Sequence, residues 1–308
     1  MKANRAAAHP LAHRRTLARG VLCGLAVALI WAGWSVATRF AVTTSLGPQD
    51  VTFLRFGVSA VLLWPVLLGH RVDLRQIGVS RLLVMIVGAG APFMLITSIG
   101  MRFAPASHVA TLMIGVMPIL VAVLSALLFG ERFSGRQLLG MGVVVAGVAS
   151  IGGESLVMNR AGGEWRGDLL FLLSGLLFAS YTLAQRRAGI SSWQATALVN
   201  VGSCAVFAPI YFLWLHPNIF TAPLGAVLFQ AAAQGVGVAI LGLYFYAEAV
   251  RRLGATRAAM FGALVPALAV LIGIPALGEV PAWMTATGIA LVVSGVLLVV
   301  TGARAKAP

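Results

Sequence analysis

The sequence predicts an all-α integral membrane protein with ten transmembrane helices in two inverted five-helix repeats. Three observations predict it: an apolar composition, ten stretches long enough to cross a bilayer, and a motif that returns 148 positions later. Of the 308 residues 60% are hydrophobic and 10% charged, with a mean hydropathy of +0.96. Soluble domains carry about 25% charged residues. A chain with so few cannot cover a water-facing surface.

A span needs about 20 apolar residues. Stretches that qualify are 20–42, 50–69, 80–100, 105–129, 135–153, 167–186, 193–215, 225–250, 256–278 and 282–302. They divide the chain into a basic tail (1–19), a first repeat (20–153), a linker (154–166), a second repeat (167–302) and a short tail (303–308). Arg14-Arg15 is read as part of the tail rather than a twin-arginine export signal, because a span follows and no soluble domain does.

Charge gives the orientation. With ten spans and the N-terminus inside, 17 of the 22 Lys and Arg residues lie on the inner side and 3 on the outer. The other two, Arg39 and Arg55, lie within spans. This bias predicts a multi-pass protein of a bacterial-type inner membrane, with both termini cytoplasmic and the 154–166 linker outside. The net charge of +14 is therefore read as topology. No aromatic-interleaved basic patch points to nucleic acid. Cys23 and Cys204 fall in apolar runs and read as small buried hydrophobes rather than a disulfide.

The repeat is clearest around the fourth and fifth spans. Pro118, Gly130-Glu131, Gly140 and Gly147-Val148 return as Pro266, Gly278-Glu279, Gly288 and Gly295-Val296. The first spans align at an offset of 147, pairing Trp34 with Tyr181, Thr38 with Gln185 and Arg39 with Arg186. The second spans align at 145, pairing Arg55 with Asn200. Five spans per copy is an odd number, so the second copy enters the membrane from the opposite side. Inverted copies are the architecture of alternating-access transporters.

On these duplicated residues the chain resembles the drug/metabolite transporter superfamily, and within it the EamA-type exporters, over residues 20 to 302. The resemblance implies a central cavity built by the first four helices of each half, with the fifth helices as scaffold or dimer surface. It also implies export of amino acids or related metabolites, driven by proton exchange or by the substrate gradient.

Candidate site residues follow from polarity inside spans. Arg55 is costly in a bilayer and should face a cavity or a partner. It is read either as a site for an anionic group or as a structural arginine paired with Asp50. Asn200, its counterpart, keeps polarity without charge. Trp31, Trp34 and Thr38 share one helical face, and Tyr181 and Gln185 share the matching face of the sixth span. They are read as cavity walls, with plain packing as the alternative. His108, Thr111, Gly115 and Pro118 share a face of the fourth span. His108 is a candidate for proton coupling, although a surface or capping histidine is favoured. Pro118 and Pro266 should kink two helices related by inversion and serve as gates. Gln230 and Gln234 of the eighth span need partners in protein or water. Glu131 and Glu279 are expected to cap or anchor their turns, and Glu248 to pair with Arg251 and Arg252.

No acidic residue falls at a span centre, which lowers the odds of cation-for-proton antiport. No Walker loop, nucleophile–base constellation or metal-ligand spacing is present, so no catalytic residues, cofactor or metal are expected. The expected partners are a small-molecule substrate and the lipid bilayer, with small residues available for a homodimer through the fifth and tenth helices. The expected function is export of an amino acid or similar small polar metabolite by alternating access. A multidrug or nucleotide-type carrier is the rival within transport. A non-transporting membrane sensor or assembly factor is the rival outside it.

Overall fold

The computed structural model describes residues 10–69, 77–130, 132–157, 162–253 and 255–302. Glu131, Asp73 and several basic residues used for orientation (Lys2, Arg5, Arg71, Arg75, Arg160, Arg304 and Lys306) lie outside them. Ten helical spans cross the bundle, each long and apolar enough for a bilayer. In chain order α1 is Pro10–Thr44, α2 Pro48–Gly69, and α3 runs from Val79 to Phe103 with a break at Gly90. The α4 span runs from Ala106 to Phe129, α5 is Gly135–Val157, and α6 is Glu164–Ala188. The second half continues with α7 (Ser192–Trp214), α8 (Leu224 to Leu253), α9 (Ala255 to Leu277) and α10 (Trp283–Gly302). After ten crossings, the start of α1 and the end of α10 share one face of the bundle, here the terminal face. The other is the distal face.

Helix packing carries the symmetry. α1 packs on α8 and α3 on α6, while α2 packs on α7, α4 on α9 and α5 on α10. Exchanging the halves turns the α1–α8 contact into the α6–α3 contact and maps the other three pairs onto themselves. That is the pairing of an inverted repeat about an axis in the membrane plane. The same symmetry shows in local detail. α4 and α9 are each interrupted just before their proline, which sits in the first turn of the following segment, where its missing N–H costs nothing. Each span then ends on a left-handed glycine, Gly130 at φ 67° and Gly278 at φ 68°.

Small residues set the closest approaches. A Cβ on Gly140 would lie 2.7 Å from the carbonyl oxygen of Gly295, and one on Gly147 would lie 2.7 Å from that of Gly288. The duplicated glycines thus meet one another within a single chain. A homodimer through α5 and α10 would use their other faces. Side chains on the flanks, such as Val61, Leu127, Val145 and Leu271, are large, apolar and exposed, which suits contact with lipid.

Candidate functional site

The site begins with a charge that has no ion-pair partner among the described residues. Arg55 sits two turns into α2 from its distal end. Its guanidinium carbon lies 5.8 Å from the Trp34 ring centre and 5.9 Å from that of Phe56. Its Nη1 is 4.0 Å from the Met94 sulfur, and its Nε is buried without a hydrogen-bond partner. The Arg55–Asp50 pairing considered from sequence does not occur. Asp50 instead accepts from the Tyr211 hydroxyl at 2.5 Å and from the backbone N–H groups of Gly47 at 2.6 Å and Asn218 at 2.9 Å. Those three donors satisfy the carboxylate and leave Arg55 to the aromatic rings. Such cation–π contacts are worth about 0.5–2 kcal/mol, less than the cost of removing the charge from water.

Ser98 is the other buried side-chain polar atom without a partner among the described residues. It lies four residues after Met94 on α3, hence on the same helical face. Both orphaned groups therefore flank Met94. Sequence reading missed Ser98, because one serine in an apolar span carries no signal until its partners can be counted.

A glutamine network fixes the aromatic wall. Trp34 Nε1 donates to Gln234 Oε1 at 2.9 Å, and Gln234 Nε2 donates to Thr38 Oγ1 at 2.8 Å and to Gln230 Oε1 at 3.1 Å. Gln230 Nε2 donates to the Ala37 carbonyl at 2.7 Å. The network joins α1 to α8. In α8, Gln234 lies on a stretch of wide i→i+5 turns, Ala231–Gly242. Such turns displace side chains from ordinary helical register and recur at functional sites.

The remaining candidates spread outwards. Asn200 is tied to α2, since the Ser59 hydroxyl lies 2.6 Å from Asn200 Oδ1 and 2.5 Å from the Arg55 carbonyl. Its Nδ2 donates to the Thr196 carbonyl at 2.8 Å. Tyr181 packs on α3 at Gly88 and is linked further in through rings: it edges Phe178 at 5.3 Å, which meets Phe93 of α3 at 5.5 Å. Gln185 lies one turn further towards the terminal face. Thr111 donates to the Ser107 carbonyl at 2.7 Å within its own helix. Trp34, Thr38, Arg55 and Gln234 therefore come together, with Asn200 one turn away. Tyr181, Gln185 and Thr111 stand apart from them.

The distal face holds a second polar cluster. His108 is 3% exposed, so it is not the surface histidine favoured from sequence. Its Nδ1 lies 2.7 Å from Asp168 Oδ1, and its Nε2 lies 3.3 Å from Thr285 Oγ1. Ser155 donates to Asp168 Oδ2 at 2.5 Å, and the Thr285 N–H donates to Glu154 Oε2 at 2.6 Å. Four helices from both halves meet there. Nearby, Glu279 pairs with Arg39 at 2.8 Å and accepts from the Ala106 N–H at 2.9 Å, while Arg39 Nη1 donates to the Met101 carbonyl. Glu279 thus anchors helices of the other half rather than its own turn. At the terminal face Glu248 does pair with Arg251 and Arg252, within a single helix.

Ten spans in inverted packing are the architecture of a membrane transporter, here one of the drug/metabolite superfamily. The chain belongs to the EamA-like transporter family, whose model matches residues 18–153 and 165–301, once per half. An uncharacterised protein of Pseudomonas aeruginosa is 31% identical, over 86% of this chain and 88% of that one. A Bacillus subtilis protein named as an uncharacterised transporter, YyaM, is 23% identical over 81% of this chain and 83% of its own. A Streptantibioticus cattleyicolor protein named "Probable terminal-alkyne amino-acid exporter" is 28% identical, over 62% of this chain and 63% of that one. A crystal structure 22% identical in sequence shares the fold, with a TM-score of 0.63 over 92% of this chain and 98% of that one.

Proposed function

We propose that the protein exports an amino acid or a related small carboxylate-bearing metabolite by alternating access. The observation that carries this reading is the buried, unpartnered Nε of Arg55, set against Trp34 and Phe56. A substrate carboxylate supplies the missing acceptor, and guanidinium binds carboxylate in a bidentate fork. Ser98 offers a further hydroxyl, and the Trp34 ring, held by Gln234, covers the apolar part of the cargo. Asn200 joins α2 one turn from Arg55, through Ser59. Thr38 holds Gln234, and Thr111, Tyr181 and Gln185 line the path at greater distance. The breaks before Pro118 and Pro266 let α4 and α9 tilt about matching points. The amino-acid exporter named among the relatives supports the cargo class.

The bias of Lys and Arg supports an inner-membrane location with the terminal face cytoplasmic. Cross-helix polar ties gather at the distal face, so the structure fits a conformation closed to the outside. Any homodimer through α5 and α10 uses surfaces away from their shared glycine seam.

The test is counterflow in proteoliposomes against a panel of amino acids, N-blocked amino acids and nucleotides, with Arg55→Ala as control. The reading expects competition by carboxylates and at least a tenfold loss in the variant, with normal insertion. Competition by nucleotides alone would favour the nucleotide-type carrier, and indifference to every solute would favour a sensor or assembly factor.

A further inference from the structure

A groove on the flank of the bundle, away from the Arg55 cluster, has no part in cargo binding. Its volume is about 240 Å³, and it lies where α3 begins and α4 and α6 end, at the terminal face. Arg81 and Val84 line it from α3, Leu124 and Leu128 from α4, and Leu183 and Arg187 from α6. These side chains are sorted by depth. Arg81 and Arg187 stand at the mouth, and Val84, Leu124 and Leu183 lie about one turn deeper along their helices. Val84 and Leu128 are 41% and 56% exposed, which suits contact with acyl chains and not with water.

The mouth is cationic. The Arg187 guanidinium carbon lies 4.3 Å from the ring centre of Phe129 on α4, a contact that orders the side chain. Arg81 Nη1 donates to the Ile77 carbonyl at 3.2 Å, which takes one of its five N–H groups. Neither arginine pairs with a carboxylate among the described residues. The chain around these helix ends carries seven arginines (Arg71, Arg75, Arg81, Arg132, Arg136, Arg186 and Arg187) against two acids, Asp73 and Glu131. Arg71, Asp73, Arg75 and Glu131 lie outside the described residues. If each acid neutralises one arginine, five positive charges remain. Glu248, the other acid of this face, is held by Arg251 and Arg252 on α8.

We propose that this groove binds one anionic phospholipid, its phosphate between Arg81 and Arg187 and an acyl chain along Val84, Leu124 and Leu183. A cationic mouth over an apolar floor matches a charged head group over its chain, in the same order of depth. Guanidinium binds phosphate through a planar fork, and basic clefts between spans at the membrane surface take anionic head groups. A zwitterionic phospholipid carries its own cation beside the phosphate and gains less from the two arginines. The bound lipid touches α3 and α4 of the first half and α6 of the second, so it bridges the repeats.

The experiment measures lipid binding to the full chain in detergent by native mass spectrometry, with phosphatidylglycerol and phosphatidylcholine of identical acyl chains. An arginine near the membrane surface contributes about fivefold in affinity for an anionic lipid, so the first phosphatidylglycerol should bind at least about tenfold tighter than phosphatidylcholine. Arg81→Gln and Arg187→Gln should each weaken phosphatidylglycerol about fivefold, and the double variant should bind both lipids alike. Arg186→Gln alters the neighbouring arginine, which does not line the groove, and should behave as wild type. Glycerol phosphate, which lacks acyl chains, should not displace the lipid. Equal affinity of the wild type for both lipids overturns the proposal, whatever the variants do. So does a preference that survives in the double variant. An equal loss in Arg186→Gln and Arg187→Gln would trace the preference to overall charge and overturn the groove as its site. Displacement by glycerol phosphate would mark a soluble-phosphate site and overturn the lipid. Neither Arg81 nor Arg187 belongs to the Arg55 cluster, so each of these outcomes leaves the cargo reading standing.

Discussion

Glu279, one residue past the left-handed glycine that ends α9, holds the Arg39 guanidinium of α1 at 2.8 Å and the Ala106 amide of α4 at 2.9 Å. One carboxylate of the second half thus ties two helices of the first, at the distal face. Neither side chain is fully exposed, at 17% and 19%, so water competes poorly for the pair. The tie has to break when that face opens. Glu279→Gln keeps an acceptor for the amide and loses the ion pair, at a cost of about 1.5–3 kcal/mol for a charged hydrogen bond. A cysteine at Ser107, 7% exposed in this conformation, should then react roughly tenfold faster with an impermeant thiol reagent. An unchanged rate would show that the pair does not hold this face shut.

The glycine seam between α5 and α10 gives a sharper steric prediction. At Gly147 a Cβ would lie 2.7 Å from the Gly288 carbonyl oxygen and 2.9 Å from a Val292 methyl, whereas at Gly142 nothing lies within 4 Å. Gly147→Val should force the helices apart at a cost of about 1–3 kcal/mol and lower the unfolding temperature in detergent. Gly142→Ala should leave it unchanged or slightly raised, since alanine favours helix. Equal behaviour of the two variants would mean that the helices do not touch along this seam.

Asp50 makes a third prediction, because its carboxylate has three donors and no cation among the described residues. The Tyr211 hydroxyl, 2.5 Å away, is the donor that crosses from α7 to α2. Tyr211→Phe removes it without changing shape, at a cost of about 1.5–3 kcal/mol. The Gly47 and Asn218 amides still satisfy the carboxylate. Thermal unfolding should therefore shift down while counterflow at saturating substrate stays within twofold. A large transport loss with unchanged stability would place Asp50 in the cargo path instead.

The sequence was most informative where a physical rule acts along the chain. Span number follows from run length. Inversion follows from an odd count per copy, and Pro118 and Pro266 mark the breaks because proline suits the first turn of a helix. The site was legible only in part. Trp34, Thr38 and Gln234 were chosen as polar or aromatic residues inside spans, but their mutual bonds join positions 200 and 196 residues apart. No local pattern encodes such distances. Asp50 lay one and a half turns from Arg55, close enough to suggest a pair, until Tyr211 and Asn218 arrived from the other half. His108 read first as a surface or capping group because the elements that bury it lie 60 and 177 residues away. Glu154 read as the start of the linker, whereas α5 continues to Val157, and Asp168, read as the second residue of its span, lies a full turn inside α6, which starts at Glu164.

The last prediction separates the two readings of Arg55 that sequence left open. A structural arginine stabilises the fold, so its replacement by a neutral side chain of similar length should destabilise it. An arginine waiting for an anion does the opposite. Its Nε has no hydrogen-bond partner among the described residues, and its guanidinium sits by two rings and a thioether. Replacing buried ionic groups with well-packed apolar ones is often neutral or stabilising, by about 1–4 kcal/mol. Arg55→Met should therefore keep or raise the unfolding temperature in detergent while cutting carboxylate counterflow at least tenfold. The two measurements must move in these directions together, since loss of transport alone also follows from misfolding. A variant that unfolds earlier than wild type would return Arg55 to a purely structural role. A second discriminator is substrate-induced stabilisation. Bound cargo at a hundred times its Kd raises stability by about 2.7 kcal/mol, and that increment should be present in wild type and absent in Arg55→Met.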